Sequence, residues 1–207
     1  MVSREDLVEY TEEILKHTLE RCRKGKPLKD GFYTINADEE SMDFQAFRSM
    51  GPMLNSGDGK DKLFAVCRIW IEKVKASAAI FVTEAWDFQG NDKSKTLSEE
   101  EFKAKVDAGF KRLVKEGYGK VYQSIIVQAM SPHFSVTATR LFEDVMINGK
   151  RKLVFFGEKR IASGPIENFK GRLKMYGPFT EPEVEHYYKL FKQPVVDEFF
   201  TKRKATG

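Results

Sequence analysis

Asn148-Gly149 stands between two long stretches of strand-forming residues, Phe134 to Ile147 and Lys150 to Ile161. Both central residues of a type I′ turn need positive φ, which asparagine and glycine supply most readily, so the two stretches are expected to fold back as a hairpin. A two-residue turn also fixes the register: Leu141 opposite Phe156 and Phe142 opposite Phe155, with Asp144 diagonal to Arg151 and Glu143 diagonal to Lys152. The charges of this hairpin are thereby largely assigned to cross-strand pairing. Only Ser131-Pro132-His133 separates it from Lys120 to Met130, another strand-like stretch, so a three-stranded antiparallel meander is predicted.

Upstream, Arg4 to Lys24 repeats apolar residues at helical spacing, Leu7, Tyr10, Ile14, Leu15, Thr18, Leu19 and Cys22, behind a capping Ser3. Two short apolar stretches, Phe32 to Ile35 and Met42 to Phe47, read as a small hairpin. Gly51 to Asp61 has loop composition, with an Asp cap ahead of a helix from Leu63 to about Lys75 that carries a broad apolar face. Ala78 to Val82 is apolar without alternation, as in a strand covered on both faces, and this strand is expected to run to Trp86. Leu97-Ser98-Glu99-Glu100-Glu101-Phe102 is a capping box with a hydrophobic staple, and predicts a helix presenting Phe102, Val106, Phe110, Leu113 and Val114 as far as Gly117. The same arrangement at Phe179 to Val184 predicts a helix from Thr180 to about Lys192, halted by Pro194. The implied fold class is α+β: one domain over residues 1–207, a largely antiparallel sheet with the meander toward the C-terminus, and helices mainly on one face.

The 207 residues carry a net charge of +4, with 32% charged and 13% aromatic residues, which excludes disordered, collagenous and disulfide-rich classes. Met1 to Asp6 is charged where a secretory leader needs an apolar run, and no long apolar stretch follows, so a cytoplasmic location without a membrane span is expected. Cys22 and Cys67 read as reduced, helix-borne small hydrophobes. His17, His133 and His186 are far apart and form no metal-ligand pattern, and Gly57-Asp58-Gly59 places acids where a phosphate would need cations, so neither metal nor cofactor is expected.

What remains as candidate chemistry is local. Glu84 leaves the apolar strand just before Trp86, where a carboxylate is either held by a cation, Arg140 being the candidate, or left in a dry cleft as an acid or base. His133, beside Ser131, occupies a tight connection between strands. An enzyme reading would use Glu84, His133 and Arg140 as catalytic groups, with Trp86 and Ser131 contacting ligand. It ranks behind a non-enzymatic binding or interaction module, in which the aromatic excess covers a partner protein or a second copy in a homo-oligomer. A polyanion or nucleic-acid contact ranks third, because 13 basic residues stand against 7 acidic ones from Gly149 onward, including Arg172 and Lys174 beside Tyr176, and Lys202 to Lys204 after Phe199-Phe200.

Overall fold

The computed structural model describes residues 2–28, 30–36, 41–47, 53, 56–169, 173–191, 200 and 201. The expected features at Gly51, Pro52, Asn55, Arg172, Pro194, Phe199 and Lys202 to Lys204 lie outside them. In chain order the elements are α1 (Arg4–Arg23), β1 (Gly31–Asn36), β2 (Ser41–Phe47), α2 (Gly57–Val74), β3 (Ala78–Gly90), α3 (Glu99–Asp107), α4 (Phe110–Lys115), β4 (Gly119–Met130), β5 (Phe134–Ile147), β6 (Lys150–Pro165), α5 (Pro182–Phe191) and a short β7 (Phe200–Thr201). The strands form one sheet in the order β6-β5-β4-β3-β1-β2-β7, and every pairing is antiparallel. The α+β class and the meander are as the sequence implies.

Local chemistry sets most element ends. Ser3 and Ser98 each form a reciprocal capping box, with Asp6 and Glu101 returning to the cap backbone. Asn148 and Gly149 take φ of 52° and 71°, and Leu141 faces Phe156. Farther from the turn, β6 advances four residues while β5 advances two, between Leu141 opposite Phe156 and Thr139 opposite Arg160. This bulge contains Gly157 at φ 65°, whose carbonyl accepts a hydrogen bond from the Arg140 guanidinium.

Three boundaries differ from the sequence expectation. Helix α2 begins at Gly57 because Ser56 accepts from the Gly59 amide, so the Gly-Asp-Gly run is a first helical turn and not a loop, and serine rather than aspartate is the cap. The helix expected to run unbroken to Gly117 is divided at Gly109, whose φ of 101° no continuing helix tolerates. Helix α5 starts at Pro182 rather than Thr180, since proline's fixed φ and missing N–H suit a first helical turn.

The helices divide between the two faces of the sheet. On one, Leu7, Ile14, Leu15 and Leu19 of α1 pack over Ile80, Val82, Ile125, Val127 and Val136. On the other, Leu63, Phe64, Val66 and Cys67 of α2 and Val184 of α5 pack over Phe32, Ala79, Phe81 and Met130. Covering both sides of Ala78 to Val82 requires this, and it is why helices mainly on one face is not the arrangement found. Cys22 and Cys67 are both buried free thiols. No helix among the described residues is long and apolar enough to cross a membrane.

Candidate functional site

Strand β3 runs four residues past Trp86, to Gly90, paired throughout with β4. Trp86 lies opposite Gln123 and Phe88 opposite Val121, and strand alternation puts these pairs on the α1 face. The Phe88 ring lies 5.9 Å from both Phe102 of α3 and Phe110 of α4, stacked on the latter, while α4 sends Leu113 fully into the interior. The break at Gly109 turns α4 so that Phe110, Lys111 and Val114 form one wall of a cleft of about 670 Å³, with Trp86 and Val121 forming the other. Trp86 is 62% exposed and Val114 41%, so neither completes the core. The end of α4 is fixed by Glu116, which accepts from Lys105 and Arg112, its carboxyl held at about 2 by these two donors, Lys105 the stronger. Lys93 donates to the Glu116 carbonyl and covers the Tyr118 ring.

Two other clefts differ in kind. One of about 540 Å³ along α1 is lined chiefly by charged groups, among them Glu12, which accepts from Lys159. One of about 550 Å³ between α2 and α5 contains Asp58, which accepts from Lys62 and from the Tyr187 hydroxyl.

Glu84, Ile125 and Arg140 stand in one row across β3, β4 and β5, so Glu84 and Arg140 share a face with Ile125 between them, about 10 Å apart along the row. Arg140 serves the β6 bulge through Gly157. The Glu84 amide donates to Asp30 Oδ1 at 3.4 Å, and Asp30 also bonds the Thr83 side chain. Asp30 is not among the candidates read from the sequence, yet burial raises its carboxyl above the ordinary range, against the opposing pull of Thr83 and the Glu84 amide. A group whose folded pKa exceeds its unfolded one favours folding below the unfolded value and loses that contribution as pH rises through the folded value. Asp30→Asn keeps an acceptor oxygen for the Glu84 amide, so it should melt above the parent chain at about pH 7 and lose the advantage near pH 4. A melting-temperature difference that is equal at both pH values would contradict this account.

His133 and Ser131 lie at the opposite end of the strands. Met130 ends β4, seven residues beyond Gln123, which places this turn roughly 20 Å from Trp86. Ser131 is 1% exposed, and its hydroxyl accepts from the amides of His133 and Phe134, so it braces the turn. The His133 carbonyl accepts from the Ile166 amide, and its ring meets Phe134 edge-on. Trp86 therefore shares neither a cleft nor a strand end with His133. Of the basic residues singled out for polyanion contact, Lys174 is 8% exposed; beside it the Tyr176 hydroxyl donates to the Ala76 carbonyl, with burial pushing that phenol well above its ordinary range. Neither faces outward.

Comparison of the chain with protein-family models, with curated proteins and with solved structures finds no match to any of them.

Proposed function

We propose that this chain is a non-enzymatic binding module and that the Trp86 cleft is its contact surface. The observation that carries this reading is a tryptophan held 62% exposed in a cleft of about 670 Å³ whose walls are otherwise almost entirely apolar. Clefts of a few hundred Å³ with aromatic linings are the usual form of small-ligand sites, and exposed apolar clusters mark contact surfaces. The enzyme alternative ranks behind it, because the His133 turn lies well along the strands from Glu84, which leaves that reading to Glu84 and Arg140 on one sheet face.

The chain has two tryptophans, and Trp70, on α2, is only 6% exposed, so Trp70→Phe leaves Trp86 as the sole reporter. Titrating that variant with anilinonaphthalene sulfonate should quench Trp86 and brighten the dye. Adding Val114→Glu should remove most of the response. A silent tryptophan, or full response in the Val114→Glu chain, would overturn the proposal.

Self-association is a second reading, favoured by the outer hairpin: Met146, Ile147, Val154 and Ile161 are exposed by 69%, 42%, 45% and 37%, and β6 is an edge strand. Sedimentation at micromolar concentration is expected to give a dimer that Val154→Lys dissociates. A monomer at the highest attainable concentration would remove this reading and leave the cleft untouched.

A further inference from the structure

Resting on the cleft as the binding site, we propose that its ligand is a soluble amphiphile with an apolar body and one anionic head, of the medium-chain carboxylate class. Helix α4 buries Leu113 and leaves Lys111, Val114 and Lys115 outward; Lys111 lines the cleft one turn from Val114, and Lys115, a turn beyond Lys111, adds a second ammonium group on the outer side of that lip. Their neighbours are engaged: Lys105 and Arg112 bind the Glu116 carboxylate, and Lys93 donates to the Glu116 carbonyl. Among the described residues neither Lys111 nor Lys115 is in an ion pair. Among the described residues no carboxylate lines the cleft. The apolar walls offer nothing to a polar body, and the lip repels a cationic head, so the complementary molecule buries a hydrocarbon or ring against Trp86 and directs one negative charge to the lysines.

The test follows Trp86 fluorescence in the Trp70→Phe chain with three ligands of equal chain length: decanoate, decan-1-ol and decylammonium. Decanoate should half-saturate at a concentration about tenfold below decylammonium, the effect of one charge-assisted contact. Lys111→Glu with Lys115→Glu, both surface changes that should leave the circular dichroism spectrum intact, should erase or invert that order. Equal response to the three ligands would overturn the anionic assignment while leaving the cleft a binding site. No response to any of them would overturn both. A response to phosphatidylserine vesicles without one to decanoate would also overturn it, by making the face a membrane contact.

Discussion

Phe32→Ala will lower the free energy of unfolding by about 4 kcal/mol, a large share of what a domain of this size possesses. Phe32 is completely buried and stands opposite Phe81, whose ring meets Phe64 of α2 edge-on at 6.0 Å. Strand β1 is also the link between β3 and the outer pair β2 and β7. Removing the ring opens a void walled by sheet on one side and by a helix packed along its whole length on the other, and neither wall can close it without losing its own contacts. Urea unfolding followed by circular dichroism measures the loss. A change under about 1 kcal/mol would mean that the layer between sheet and α2 is not packed as described.

What the sequence made legible was whatever a few neighbouring residues decide. The Asn148-Gly149 turn, its register, the Ser3 cap and the capping box at Ser98 depend on local φ preferences and side-chain reach, and all are present. The unalternating run from Ala78 to Val82 spoke correctly of a strand covered on both faces; carried one step further, it already required helices on both sides. The site was legible only in part. Trp86 attracted notice as an aromatic after a strand, but the cleft beside it depends on the division at Gly109. Phe110 and Val114 fit the periodicity of an unbroken helix, so nothing in their spacing shows that α4 turns to face β3 and β4. Asp30 was illegible for a related reason: its burial comes from β1 pairing with β3, a contact between segments far apart in the chain, and no local pattern encodes it. Nor does composition say how far apart two residues fall along a strand: Glu84 stands opposite Ile125, five residues from the Met130 end where the His133 turn begins.

Arg68→Ala is expected to cost about 3 kcal/mol and to release the segment leading into α5 before the rest of the molecule unfolds. Arg68 is 8% exposed within the apolar layer of α2; its guanidinium lies 3.7 Å from the centre of the Phe179 ring and donates to the carbonyls of Gly177, at 2.6 Å, and Lys174. Burial pulls its pKa below the ordinary arginine value, with Glu72, Tyr188 and Glu185 opposing that, and the group stays charged. One planar cation thus ties residues 174–179 to α2, and α5 is then fastened by the Tyr188 hydroxyl on Glu72 and the Tyr187 hydroxyl on Asp58. Truncation strands two carbonyls and exposes one face of Phe179. Lysine retains the charge but has neither the flat surface that stacks on a ring nor the fork that reaches two carbonyls, so Arg68→Lys should recover less than half of the loss. Trypsin should cut the Arg68→Ala chain first at Lys174 or Lys189, under conditions in which the parent chain resists. Full rescue by lysine, or cleavage beginning elsewhere, would show that Arg68 acts only as a charge and that α5 is held without it.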